Sequence, residues 1–340
     1  MNRRLLATRV ASKLRLTPLL ERFASRPGLA VLVYHRISSP VGFAYDKAVI
    51  EATPEDFDDQ MRMLKKHHDV AAPDELFDLI ENPRKLTSFR VAITFDDGYL
   101  DNYEVAFPIL KSHGLRATFF LPTHYVGTRH LPWWDQVAFL VRRTKKTSLE
   151  LDYPERLVVP IDRHDPEHVD SAIVSVLRAY TRAENVELAP YLEAVEKACG
   201  MPLPGEAEER QFMTWTEAAE MQKAGMAIGS HTHSHNILAT LPVEEQAKEC
   251  RDSRALLRES SLAAESLAYP VGKPTSFSRD TMRCAKEAGY RCAFTNYGGV
   301  NLPERIDPFD VKRIGMSFGE DTAQMRLRLA LTAASRRQAW

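Results

Sequence analysis

No apolar run in this 340-residue sequence approaches the ~20 residues that a membrane-spanning helix needs, so a transmembrane reading has no support. Cysteine is scarce. Four stand at 199, 250, 284 and 292, and none forms a CxxC pair, which removes the basis for a zinc ribbon or a thioredoxin-type site. Cysteines so few and so scattered fit buried free thiols in a reducing compartment better than a disulfide framework. An excess of one charge sign is missing too. The formal net charge is -1, so nothing pulls the chain as a whole toward nucleic acid or an anionic membrane. The sequence has no phosphate loop, no dinucleotide fingerprint and no nucleic-acid-binding motif. After the positive N-terminus, Val10-Ala11-Ser12-Lys13-Leu14-Arg15 is interrupted by charge and lacks the apolar core of a secretory signal. The expectation is a protein not exported by a standard signal, acting in the cytoplasm.

The length suits one large domain or two ordinary ones. Charge gathers at the ends. Arg3, Arg4, Arg9, Lys13, Arg15, Arg22 and Arg26 face only Glu21, while Leu5, Leu6, Val10, Leu14, Leu19, Leu20 and Phe23 recur near helical spacing. Residues 1–28 therefore read as a basic amphipathic segment that either lies on a membrane surface or packs on the domain as an ordinary helix. Residues 321–340, with Arg326, Arg328, Arg336 and Arg337 near the end, read as a basic helix or tail. The two basic ends suggest peripheral contact with the inner face of a membrane.

Between the ends, short β-branched and apolar runs alternate with helical patterns. Strands are predicted at 29–34, 89–95, 117–121, 226–230, 266–270 and 292–295. Helices are predicted at 54–66, with Thr53 as N-cap before Pro54, and at 103–113, 215–224, 243–259 and 278–288. This alternation argues for an α/β architecture with a parallel sheet or barrel. The stretch 129–212 breaks the rhythm and reads as a helical insertion, with helices near 134–143, 167–180 and 186–199. Its Trp133-Trp134 pair is either a sugar-stacking platform or insertion core, and Trp215 reads as core. The unusual polar residues His35, Asp96, Asp97 and His231 follow strand ends and the Tyr269-Pro270 pair stands at one, the rim where barrel enzymes build active sites.

Adjacent carboxylates after a buried strand, as in Asp96-Asp97-Gly98, are costly unless a cation or a proton stabilises them. If the chain turns there, one can bind a metal while the other stays free as a base, and Gly98 permits the turn. In His231-Thr232-His233-Ser234-His235 the outer histidines are four apart, which on one turn of helix puts both imidazoles on one face and sends His233 elsewhere. Asp97, His231 and His235 then supply three ligands and leave positions open, as in a catalytic rather than a structural metal site. Asp96 would take the proton from the attacking water.

The motifs Thr94-Phe95-Asp96-Asp97-Gly98 and His231-Thr232-His233-Ser234-His235 resemble the first two motifs of the polysaccharide deacetylase family, over about 29–127 and 213–316. The resemblance implies a distorted (β/α) barrel spanning 29–320 and hydrolysis of N-acetyl groups on amino sugars. It also implies Asp96 as base and Asp97, His231 and His235 as ligands of a divalent metal, zinc foremost, with cobalt, nickel or iron also suited to these donors. The third family motif reads Ala268-Tyr269-Pro270-Val271 here. It keeps the proline and lacks the arginine that normally touches the base. Tyr269 and Pro270 would wall the groove, with Tyr103 as another groove or supporting residue, and the Val271 N–H would face the oxyanion. Arg313 is the candidate replacement for the arginine. Leu32-Val33-Tyr34-His35 looks like the general-acid motif moved to the front of the domain, as in poly-N-acetylglucosamine deacetylases, and makes His35 the acid for the leaving amine. The implied partner is an N-acetylated glycan or a lipid-linked sugar precursor. An inactive carbohydrate-binding relative and an O-acetyl esterase are the other readings.

Overall fold

In the computed structural model, which describes residues 26–182 and 186–334, seven buried stretches become the strands of one closed parallel ring. They are β1 (Gly28–Tyr34), β2 (Phe89–Phe95), β3 (Thr118–Leu121), β4 (Ala227–Ser230), β5 (Ser266–Ala268), β6 (Cys292–Gly298) and β7 (Val311–Gly315). Each pairs with the next, and β1 closes the ring. It runs parallel to β2 from Gly28↔Phe89 to Tyr34↔Phe95, and parallel to β7 through Leu32↔Ile314 and Val33↔Gly315. The architecture is the distorted (β/α) barrel that the family resemblance implies, and it settles the choice between parallel sheet and barrel that the strand–helix alternation leaves open. Asp69–Val70 extends the sheet beside β2, and Val300–Asn301 runs antiparallel to β1.

A strand buried on both faces must be apolar throughout, and β1 is buried along its whole length. Its alternate residues go to different cores. Ala30, Leu32 and Tyr34 pack outward with Phe57, Met61 and Leu64 of the helix Pro54–His67 and with Met221 of the helix Trp215–Lys223. Leu29 and Val31 join Ala92, Phe120, Ala268, Phe294 and Val311 in a second cluster, to which Leu76 and Ile80 of the helix Pro73–Glu81 contribute. The first helix begins as the sequence predicts, with Thr53 Oγ1 accepting from the Asp56 N–H at 3.1 Å.

The structure corrects several expectations. The helix predicted over 103–113 opens with a π-helical turn at Asn102–Ala106 before Phe107–His113. Strand β7 escapes the sequence reading, because Lys312 and Arg313 break its apolar pattern, yet both are buried. The part of the predicted segment 1–28 up to residue 25, and residues 335–340 of the tail, lie outside the described residues. Thr322–Ala334 is an α-helix. Among the described residues no helix is long and apolar enough to cross a membrane.

A second compact unit comprises Ser39–Val49 and Gly127–Gln211, so it also recruits a segment that the sequence does not single out. Its helices Trp133–Arg143, Pro166–Arg182 and Leu188–Cys199 accompany a hairpin of Ser148–Leu151 and Leu157–Pro160 that the sequence reading misses. Trp133 and Trp134 are core residues of this unit, not an open platform. Trp133 packs edge-on against Tyr180 at 4.9 Å, and Tyr180 stacks on Tyr191 at 5.1 Å.

Gly229 shows how tightly the barrel is filled beneath the histidine motif. A Cβ there would stand 2.6 Å from the Phe120 ring and 2.8 Å from Ser266 Oγ. Gly229→Ala is expected to destabilise the protein by about 1–3 kcal/mol. The measurement is urea unfolding, with a lower midpoint at unchanged slope. A midpoint equal to the parent's would mean that the interior yields at this point.

Candidate active site

Because all seven strands are parallel, their carboxyl ends share one rim, and the chain delivers its polar residues there. At the end of β2 the Asp96 N–H still donates to the Tyr34 carbonyl at 2.9 Å, continuing the ladder to β1. The backbone then turns, with φ of 68° at Asp97 and 65° at Gly98. A Cβ on Gly98 would meet Leu121 Cδ2 at 2.5 Å, and with its left-handed φ the position favours glycine. The turn separates the two carboxylates, and each meets a different partner.

Asp96 meets Arg313. This arginine comes from β7 and is 1% exposed. Its Nη1 donates to Asp96 Oδ1 at 2.8 Å and its Nη2 to Oδ2 at 2.6 Å, a two-pronged ion pair. Nη1 also donates to Thr94 Oγ1 at 3.2 Å, and Nε donates to the Thr295 carbonyl. Burial pushes the Asp96 carboxyl upward, but the Arg313 guanidinium, with His231 and His35, more than offsets it and holds the group below the usual carboxylate value. Arg313, from β7, is thus the arginine that touches Asp96 in this chain.

Asp97 meets the histidines. Its Oδ1 lies 3.4 Å from His231 Nε2 and 3.2 Å from His235 Nε2, and all three residues are buried. The segment that carries the histidines is not the helical turn its spacing suggested. It is an irregular loop after β4, with φ of 65° at Thr232 and 59° at His235. Two left-handed residues bring about the juxtaposition expected of helical periodicity. His233 is directed elsewhere, its Nδ1 pairing with Thr123 Oγ1 at 2.9 Å.

These three ligand atoms fit a divalent cation. His231 Nδ1 lies 2.8 Å from the Ala268 carbonyl, which can only accept, so Nδ1 carries the hydrogen. In the neutral ring, Nε2 then turns a lone pair toward Asp97 Oδ1, an oxygen that is buried without a hydrogen-bond donor of its own. Tetrahedral ligands ~2.1 Å from a common ion stand ~3.4 Å apart, close to the spacing found. Burial pushes the His235 imidazole downward against the pull of Asp97, toward the neutral form that ligates. Asp97, opposed by burial but facing both imidazoles, lies well below the ordinary carboxylate value.

His35 follows β1 and is locked by a residue that the sequence reading misses. Glu51 Oε1 pairs with His35 Nδ1 at 2.8 Å, and Glu51 Oε2 accepts the His35 backbone N–H at 2.8 Å. Asn102 Nδ2 holds the His35 carbonyl at 2.7 Å. Burial alone would lower the imidazole pKa. The Glu51 carboxylate, aided by Asp97 and Asp96, overrides burial and raises it to about 10. No spacing rule links residues 35 and 51; only the short pairing of Arg36–Ile37 with Ile50–Ala52 brings them together.

The loop after β5 divides its residues. Tyr269 is not at the groove. Its ring is buried against Phe277 at 4.6 Å and its hydroxyl donates to the Phe309 carbonyl at 3.0 Å. Val271 lies half-buried with a φ of 63°, while the Gly272 N–H donates across it to the Pro270 carbonyl at 2.7 Å. That is a strained γ-turn. It begins just past Ala268, the residue that holds His231. Tyr103 is occupied with Glu220 at 2.7 Å and does not join this group.

A family model described as polysaccharide deacetylase matches residues 84–150 and 166–293. The Bacillus subtilis protein YxkH, whose name places it with the polysaccharide deacetylases, is 23% identical over 274 residues, covering 80% of this chain and 66% of that protein. The Streptococcus pyogenes deacetylase PplD, solved in complex with acetate, superposes with a TM-score of 0.55 at 19% identity, over 91% of this chain and 98% of that one. IcaB from Ammonifex degensii gives a TM-score of 0.55 at 19% identity, over 92% and 99%. The likeness to these two solved structures is one of fold and runs over nearly the whole chain.

The His35–Glu51 pair has a titration signature. The folded imidazole keeps its proton to about pH 10, whereas the ordinary value is 6.5. The raised imidazole's own contribution to stability is therefore complete below the lower value and lost as the pH rises through the upper. In the metal-free protein, an NMR titration should find one histidine with a strongly raised pKa, and Glu51→Gln should bring it down toward the ordinary range. A parent His35 titrating near neutrality would refute the assignment.

Proposed function

The chain belongs to the polysaccharide deacetylase family, and we propose that it is a divalent-metal-dependent hydrolase that removes N-acetyl groups from an amino-sugar glycan or a lipid-linked sugar precursor. The observation that carries this reading is the convergence of Asp97, His231 and His235 beside an Asp96 carboxylate kept ionised by Arg313.

Asp97, His231 and His235 would hold the ion, which when bound polarises the acyl carbonyl and acidifies the water. Asp96 accepts the proton of the attacking water. Its ion pair with Arg313 keeps it deprotonated and fixes both carboxylate oxygens, so the base is in place before substrate arrives. The Val271 N–H donates to the oxyanion that forms at the carbonyl. Glu51 accepts the His35 Nδ1–H and so keeps the ring protonated, and His35 delivers the proton on its other nitrogen, Nε2, to the leaving nitrogen. This last feature favours amides. An amine is expelled only once it is protonated, whereas an ester alkoxide leaves with less help, and His35 remains protonated at neutral pH. The lipid-linked part of the substrate class rests on the basic residues at both ends of the sequence.

The decisive assay is acetate release from free and lipid-linked N-acetyl sugars, with matched O-acetylated glycans, after chelation and add-back of zinc, cobalt, nickel or iron. Release should stop with chelator and return with metal. Asp96→Asn should lower turnover by at least about 100-fold while leaving metal affinity near the parent's. Full activity in that variant, or chelator-resistant turnover, would overturn the mechanism.

A further inference from the structure

We propose that Glu249, which touches neither the metal ligands' donor atoms nor the reacting groups, is the positioning residue that sets the shape of the loop carrying two of those ligands. The inference rests on the metal-site reading above and adds to it the part of the chain that builds the site.

The loop from His231 to His235 has no secondary structure of its own to fix it, and two of its residues, Thr232 and His235, adopt left-handed backbone conformations that L side chains resist. Something outside must impose that shape. Glu249 stands in the middle of the helix Val243–Glu259 and is 9% exposed. Its Oε2 accepts the backbone N–H groups of both His233 and Ser234, each at 2.8 Å. Its Oε1 accepts the Ser234 hydroxyl at 2.7 Å. Thus one carboxylate takes three donors offered by two of the residues that lie between the ligands His231 and His235.

The rest of the helix face fits this role. Residues Gln246, Glu249, Cys250, Ser253 and Leu257 form its buried side. Ser253, one turn beyond Glu249, pairs with Ser230 Oγ, which accepts the Thr232 N–H at 3.0 Å. From the other side, the N–H groups of Thr123 and His124 donate to the carbonyls of Thr232 and His233 at 3.2 and 2.9 Å. The loop is therefore gripped by its donors from the helix and by its acceptors from the segment after β3. A buried carboxylate is costly unless its lone pairs are used. Glu249 directs both of its oxygens to this loop, which is the reason an acidic residue sits on the inward face of an otherwise ordinary amphipathic helix.

The prediction concerns metal affinity, not activity. Zn2+ affinity of the full chain is measured by chelator competition, and the Co2+ form is followed by its visible absorption, which reports ligand geometry. Glu249→Gln keeps the size of the side chain but loses one charge-assisted acceptor; it should weaken Zn2+ binding by about 10- to 100-fold, as supporting partners of metal ligands commonly do, and alter the Co2+ spectrum. Ser234→Ala removes a single donor and should give a smaller loss of the same sign, which keeps the test alive if Glu249→Gln folds poorly. Leu257→Ala, on the same helix but in the outer core, should lower the melting temperature of the metal-free protein and leave Zn2+ affinity unchanged. Parent-like Zn2+ affinity in both Glu249→Gln and Ser234→Ala would overturn the proposal, as would an equal loss in Leu257→Ala. A parent protein that binds no more Zn2+ than His235→Ala would instead defeat the metal site itself, and the proposal with it.

Discussion

Closure of the parallel ring is the constraint on which everything else depends. A strand that pairs with β2 on one side and β7 on the other must carry apolar residues on both faces, and β1 does so along its whole length. In return, the closure brings together residues that are far apart in sequence. His35 leaves β1, Asp96 leaves β2 and Arg313 sits in β7, so the three strands of the seam deliver the proposed acid, the proposed base and the cation that holds that carboxylate. A ring also has no privileged first strand. A histidine at the front of the chain can serve where a histidine near the end would serve in another arrangement, because β1 and β7 are neighbours.

The second principle is that buried charges at the rim are matched with charges of opposite sign. Asp96 and Asp97 are adjacent in sequence and would repel one another if their carboxylates converged. The left-handed turn at Asp97 and Gly98 separates them by direction, and each then finds its own environment. This division, rather than any difference between two aspartates as such, is what the proposed roles of base and ligand rest on. The strain is concentrated accordingly. Among the described residues, the non-glycine positions with positive φ are six, and four of these, Asp97, Thr232, His235 and Val271, belong to the site. Such conformations persist only where surrounding contacts over-determine them.

Much of this is legible in the sequence, and the gaps have physical causes. Strands β1 to β6 announce themselves as apolar runs, and the carboxylate pair and the histidine motif stand out because polar residues of those types rarely follow such runs by chance. Strand β7 does not, since its central Lys312 and Arg313 look like surface residues until the partners that bury them are known. The spacing of His231 and His235 points to the right pair for the wrong reason: period 3.6 predicts a helix, whereas the loop reaches the same juxtaposition through local backbone conformations that no periodicity encodes. Glu51 and the segment Ser39–Val49 are invisible for a related reason. Their roles arise from tertiary contacts between stretches with no shared pattern.

The pairing scheme also argues for where a cation belongs. Glu51, Asp96 and Asp97 are all buried carboxylates. Glu51 is matched by the protonated His35, and Asp96 by Arg313. Asp97 instead faces two imidazoles, and burial disfavours charge on His235. A carboxylate so placed requires a positive charge between its Oδ1 and the two Nε2 atoms. A proton shared with one imidazole can meet that need, but it leaves the second ring unused. A divalent ion would engage all three atoms at once, so the geometry that makes Asp97 costly without a partner is the same geometry that fits it to the proposed role of ligand.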